Sequence, residues 1–228
     1  MKQPENIFTY TLRKVYWNLH SFTWDEYLET TNYAEEIEEI AQIAEANIET
    51  GCPALLDLGC ATGSYSLALA KRKFNVTGID YAVKMIRKAG RKALDADIQN
   101  ISFTVSDFNK GLNFASSKFD FVLSAHTVIG AEDFSGILKE VRRVLKPDGI
   151  FFVVAKKPGS KKISPAKDTN IFLGLLLKAT KLLCFLGHKR FYYDPETTQQ
   201  IIESIGFKFY YKSETCNNNI ILFKKTSI

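Results

Sequence analysis

Between residues 53 and 155, short runs of β-branched and aromatic residues alternate with segments of helical period. No other feature constrains the fold of this chain as much. The pattern predicts strands over 54–58, 75–79, 101–105, 119–124 and 150–155, and helices over 64–73 and 83–94. Phe134, Ile137, Leu138, Val141 and Leu145 mark one face of a further helix. Lys146-Pro147-Asp148-Gly149 reads as a turn in which proline sets φ and Gly149 accepts a positive φ. Strands separated by helices of this length pair in parallel through right-handed crossovers. The expected class is therefore α/β, with a doubly wound and mostly parallel sheet.

The flanks divide the chain into four zones. Residues 1–50 form an N-terminal helical cap, beginning with the aromatics Phe8, Tyr10, Tyr16, Trp17, Phe22, Trp24, Tyr27 and Tyr33. Within it Ile37, Ile40, Ile43, Ala44 and Ile48 recur at helical spacing, which predicts an amphipathic helix with an acidic outer face. Residues 51–155 are the core. Residues 156–193 are a basic and apolar insertion, expected to fold over 170–187 as one or two helices above a substrate pocket. Residues 194–228 complete the core: a helix over 195–205, then strands over 207–212 and 220–224 joined around Asn217-Asn218-Asn219, which add an antiparallel edge strand.

Composition excludes several classes. With 228 residues, 46% apolar and 24% charged, the chain is neither disordered, collagen-like nor a coiled coil. Cys52, Cys60, Cys184 and Cys216 contain no C-x-x-C pair, so neither a disulfide scaffold, a zinc ribbon nor any metal site is expected, and a reducing cytoplasm fits. Residues 1–6 lead into aromatic and charged sequence, so no signal sequence is expected there, and the apolar run 171–187 is interrupted by Lys178 and Lys181 and is shorter than a spanning helix normally needs. The net charge of +5 is small but uneven. Residues 139–190 hold thirteen Lys and Arg against three acids, whereas residues 25–49 hold nine acids and no base. The basic stretch is a solvated face, a membrane-surface segment for anionic lipid, or a cap on a pocket for a hydrophobic or anionic small molecule. No RNA-binding module is recognised, which argues against a nucleic-acid partner.

The chemistry is concentrated where the first strand enters a loop of small residues that opens a helix: Leu55-Leu56-Asp57-Leu58-Gly59-Cys60-Ala61-Thr62-Gly63-Ser64. Gly59 and Gly63 allow close approach of a ligand to the backbone, and the helix behind them presents unpaired N–H groups. The loop is not a dinucleotide G-x-G-x-x-G, because Ala61 and Ser64 stand where glycines belong, and no lysine follows Gly63 as a P-loop requires. Asp57 would repel a pyrophosphate and suits a cationic amino group. Asp80 ends the second strand about 20 residues past the first glycine, the usual place of an acid that binds a ribose diol, although it also suits a helix cap. Asp107 follows the third strand, placed either to accept from an adenine amino group or to serve as a turn residue. The complement of three such acids is an adenosine with a positively charged tail.

These residues resemble the class I S-adenosylmethionine-dependent methyltransferases. Asp57-Leu58-Gly59-Cys60-Ala61-Thr62-Gly63 is similar to that family's D/E-x-G-x-G-x-G loop, with Ala61 replacing the middle glycine. Gly78-Ile79-Asp80, Ser106-Asp107-Phe108, Phe119-Asp120-Phe121-Val122-Leu123-Ser124 and Leu145-Lys146-Pro147-Asp148-Gly149 follow in the family's order. The resemblance implies a Rossmann-like, seven-stranded sheet with a reversed last strand, S-adenosyl-L-methionine as cofactor, and methylation of a small molecule at oxygen, nitrogen or carbon. It implies cofactor contacts at Asp57, Gly59, Cys60, Ala61, Gly63, Asp80, Tyr81, Met85, Ser106, Asp107, Phe108 and Ser124. His126, just past the fourth strand, is the candidate general base. Tyr10, Tyr16, Trp17 and His20 are candidates for a lid over the substrate, or else plug the sheet edge. Three alternatives stay open: a catalytically silent fold used for binding, an RNA methyltransferase, and a dehydrogenase, which Ala61 and Ser64 disfavour.

Overall fold

A computed structural model describes residues 7–29, 33–48, 51–128, 131, 133–157, 171–185, 195–215 and 218–226. The aromatic N-terminal zone is helical: α1 (Ile7–His20), α2 (Trp24–Glu29) and α3 (Tyr33–Ala46) precede the sheet. Then β1 (Ala54–Leu58), α4 (Ser64–Lys71), β2 (Asn75–Asp80), α5 (Val83–Asp95), β3 (Ile101–Val105) and β4 (Phe119–Ala125) alternate as expected. They are followed by α6 (Phe134–Val144), β5 (Leu145–Lys156), α7 (Ile171–Phe185), α8 (Pro195–Ser204), β6 (Phe207–Glu214) and β7 (Asn218–Lys225).

The seven strands lie in the order β3-β2-β1-β4-β5-β7-β6. Strands β1 to β5 are parallel and β7 runs antiparallel to both β5 and β6. Side chains alternate across the sheet. Leu55, Val76, Phe121, Leu123, Phe152, Ile220 and Leu222 face α3 and α4, and Leu56, Leu58, Val122, Phe151, Val153, Ile221 and Phe223 face α6 and α8. Burial on both faces explains why these strands read as nearly continuous apolar runs.

Two expectations are corrected. The antiparallel strand is not at the edge. The apolar run from Ile220 to Phe223 is buried between β5 and β6, while β6, with its exposed Tyr210 and Tyr211, forms the edge. A strand buried on both faces belongs inside, and a polar one outside. The second correction concerns residues 146–149, which bulge from the start of β5: pairing jumps from Phe119 with Leu145 to Phe121 with Ile150. Asp148, not Gly149, takes the positive φ of 61°. Gly149 serves space instead, since a Cβ there would meet the Asp120 and Lys146 carbonyl oxygens at 3.0 Å.

Helix α7 forms within the expected 170–187 window and packs along α1, which also touches α5. The basic residues at 161, 162, 167, 189 and 190 lie outside the described residues. Among the described residues, no helix is long and apolar enough to cross a membrane.

Candidate active site

The glycine loop folds back on the second strand. The N–H groups of Gly59 and Cys60 both donate to the Ile79 carbonyl, at 2.8 and 3.0 Å. Gly59 and Gly63 take φ of 72° and 80°, and their missing side chains leave room for Thr127 and for Phe103 respectively. Ala61 also takes a left-handed φ, 48°, so the departure from the glycine pattern carries strain. Helix α4 starts at this loop with no side-chain cap, so its first N–H groups point toward the carboxyl edge of the sheet.

Adjacent strands β1 and β2 bring two of the acids together. Asp57 is 1% exposed in β1, and its Oδ2 accepts from the Ser66 hydroxyl of α4 at 2.5 Å. Asp80 is 9% exposed at the end of β2. Its two oxygens accept from Ala61 N at 3.1 Å and Ala82 N at 2.8 Å, so it ties the loop to the start of α5. The bond to Ala82 N, just before α5, accords with the cap reading of this residue. Burial pushes the Asp57 carboxyl up to about 7, against the Ser66 hydrogen bond and reinforced by the negative charge of Asp80. Burial likewise raises Asp80 to about 6, opposed by the backbone N–H groups of Ala82, Ala61 and Tyr81. Among the described residues no cationic side chain forms an ion pair with either acid. Two desolvated carboxylates lacking a protein counterion suit a ligand that brings its own positive charge. The buried Cys60 thiol, raised by burial and then by Asp57 and Asp80, is no nucleophile.

The other expected residues divide. Tyr81 is half-buried, its ring 6.5 Å from that of Tyr10. Ser106 N donates to the Asp80 carbonyl at 3.0 Å. Asp107 caps the short turn Phe108–Lys110 by accepting from Asn109 N at 3.1 Å, so its turn role is realised. Phe108 packs against the apolar layer on the α6 side. Met85 is 1% exposed and part of the core. Ser124, fully buried, accepts from Val128 N at 2.9 Å and so holds the bend after β4. Tyr16, Trp17, His20 and Trp24 form one cluster of rings, with His20 Nδ1 3.0 Å from the Thr23 hydroxyl. His126 follows β4 at a positive φ of 57°, with its Nε2 3.6 Å from Glu36 Oε1.

Several residues were not anticipated. Thr62 of the glycine loop donates to Asp25 of α2 at 2.6 Å, and Asp25 also pairs with Lys88 and Lys92 of α5, each at 3.0 Å. Asn18 of α1 accepts from Lys84 N at 2.8 Å, capping α5 from a distant helix. The cap therefore rests on the loop and on α5. Glu36, read as part of an acidic outer face, is 3% exposed. A signal for it existed: Glu36 stands four residues before Ile40 and eight before Ala44, inside the apolar stripe.

A parallel sheet reversed at its last strand, with a glycine loop and two buried acids at its carboxyl edge, defines a nucleotide-cofactor enzyme domain of the open α/β class. A family model described as a methyltransferase domain matches residues 51–179. A demethylmenaquinone methyltransferase of Leptospira interrogans is 30% identical over 180 residues, covering 74% of this chain and 72% of that one. A ubiquinone/menaquinone biosynthesis C-methyltransferase of Rickettsia felis is 30% identical over 158 residues, covering 66% of this chain and 60% of its own. The crystal structure of an S-adenosylmethionine-dependent methyltransferase from Aquifex aeolicus shares the fold, with a TM-score of 0.62 at 17% identity, covering 83% of this chain and 97% of that one. The chain belongs to the class I S-adenosylmethionine-dependent methyltransferases. It is an enzyme with S-adenosyl-L-methionine as its cofactor, and the silent-scaffold and dehydrogenase readings fall away.

Proposed function

We propose that this enzyme methylates a small, apolar, aromatic acceptor of the quinol kind. The observation that carries the reading is the pair of buried carboxylates, with no cationic partner among the described residues, beside a cap of aromatic helices that rests on the glycine loop. The names of the two relatives, both quinone methyltransferases, support the acceptor class.

When bound, the cofactor supplies a methyl group already activated on a sulfonium centre. The protein's task is then to orient and to exclude water. Asp57 holds the cationic amino end, and Gly59, Cys60, Ala61 and Gly63 line the backbone cradle. Asp80 holds the ribose diol, and Tyr81, Ser106, Asp107 and Phe108 border the adenine. Tyr10, Tyr16 and Trp17 close the acceptor side. His126, its side chain 26% exposed at the end of β4, takes the proton that the acceptor must lose.

An acceptor carried in a membrane is met by α7. Leu175, Lys178, Ala179 and Leu182 are all exposed at i, i+3, i+4 and i+7, an apolar stripe with a cation inside it.

The test uses labelled methyl donor and a reduced 1,4-naphthoquinone bearing a short prenyl chain. Label transferred to a ring carbon is expected, together with a rise in melting temperature on adding S-adenosylhomocysteine. A shift with the cofactor product but no label on the quinol would overturn the acceptor class. No shift at millimolar product would overturn the assigned cofactor residues.

A further inference from the structure

The most unusual charged group outside the cofactor loop is Glu36. It is 3% exposed on α3, with no Lys or Arg in reach among the described residues. One oxygen accepts from the Tyr65 hydroxyl and the other from the Asn218 amide, which come from α4 and from the first residue of β7. Among the described residues, the titratable cation-former beside it is His126, whose Nε2 lies 3.6 Å from Glu36 Oε1. Burial alone would push the Glu36 carboxyl up, yet the side chains of His126, Tyr65 and Asn218 together hold it below its ordinary value, so it is ionised at neutral pH.

A buried anion held by donors from α4 and β7 is a fixed charge. Its position cannot relax when a neighbour gains a proton. His126 is held in turn. Its backbone N–H donates to the Val154 carbonyl at 2.9 Å, its backbone is left-handed at φ 57°, and the Tyr33 ring meets its imidazole edge-on at 5.7 Å between centroids. The side chain is 26% exposed, so the ring is partly open to solvent while its Nε2 faces the carboxylate.

We propose that Glu36 is a positioning residue for methyl transfer: it fixes the His126 ring with Nε2 toward the buried carboxylate, leaving Nδ1 to take the acceptor's proton, and stabilises the imidazolium that results. This rests on the reading of His126 as base. The step balances as follows. The acceptor's O–H bond breaks and its proton passes to Nδ1. The pair left on oxygen folds toward the ring as a C=O, and the ring-carbon pair it displaces forms the new bond to the methyl carbon, while the carbon–sulfur bond breaks with its pair returning to sulfur. The ring C–H proton then leaves to water as oxygen takes a proton back and the ring regains its aromaticity. The positive charge on sulfur is lost and one appears on His126, 3.6 Å from an anion already in place.

The test is a double-mutant cycle on the full-length chain, with the prenylated naphthoquinol as probe. Glu36→Gln is expected to lower kcat at least tenfold, with the probe's KM and S-adenosylhomocysteine affinity within about threefold. His126→Asn lowers kcat by about a hundredfold or more. The decisive arm is the double variant, which should be no slower than His126→Asn alone, because Glu36 acts only through the ring. Multiplying penalties would show a structural role for Glu36 and overturn the inference, while the base assignment survives. Full activity of His126→Asn would overturn the base assignment and the inference with it. If Glu36→Gln fails to fold, Glu36→Asp carries the same cycle, keeping the charge but shortening its reach, with an intermediate loss expected.

Discussion

At the residue scale, the acids of the cofactor loop make the chain sensitive to pH in an unusual direction. The folded carboxyls of Asp57 and Asp80 lie at about 7 and about 6, above the ordinary 3.8. Between those values the folded chain holds more protons than the unfolded one, so stability falls as pH rises from about 4 to about 7. Thermal melts of the ligand-free protein should therefore show Asp57→Asn losing less stability than the wild type between pH 5 and pH 8. The same variant should bind S-adenosylhomocysteine at least tenfold more weakly, since a neutral amide cannot match an ammonium. Equal slopes in the two proteins would place the titrating group elsewhere. Ala61 makes a second case. A left-handed alanine carries about 1 kcal/mol of strain, while glycine adds about 0.5–1 kcal/mol of freedom to the unfolded chain. Ala61→Gly should thus be neutral to mildly stabilising in denaturant titrations. A loss above about 1 kcal/mol would show that the Ala61 methyl makes a packing contact worth more than the strain.

At the scale of elements, the N-terminal helices are bound to the core by polar contacts that the sequence pattern did not foretell. Asp25 joins Thr62, Lys88 and Lys92, and Asn18 caps α5. Asp25→Ala removes a half-buried acceptor with three partners and should cost about 1–2 kcal/mol. Hydrogen exchange should quicken across residues 7–29 and leave β1 to β5 unchanged. Uniform acceleration would mean that the cap and the core open as one unit. Strands and helices of the core were legible because their period is local: two for strands, 3.6 for helices. The placement of β7 inside the sheet was legible only in part. Ile220-Ile221-Leu222-Phe223 announces a strand buried on both faces, but which neighbours cover it depends on residues far away in the chain.

At the scale of the whole molecule, charge is divided along the sequence, with the acids gathered in 25–49 and the bases in 139–190. Exposed Leu175 and Leu182 stand on the same helix as Lys178. The chain should float with vesicles containing anionic lipid and not with neutral ones, and release as salt shortens the Debye length to a few ångström at about 1 M. The double change Leu175→Glu and Leu182→Glu should abolish flotation while leaving methyl transfer to a short-chain, water-soluble quinol intact. Flotation unchanged by the pair would exclude α7 as the contact.

The amino-acid order by itself determined the alternation of strands and helices, the glycine loop and the three acids near the ends of successive strands. Each of these depends on neighbours within a few positions, or on a fixed spacing along one crossover. Tertiary structure decided which charges are buried. Glu36 meets Tyr65, 29 residues away, and Asn218, 182 away, while Asp25 meets Thr62 across 37. A carboxylate can leave water only when such partners arrive together. No local pattern encodes their arrival, because it is the folding of α2 and α3 onto the finished sheet that brings them within reach.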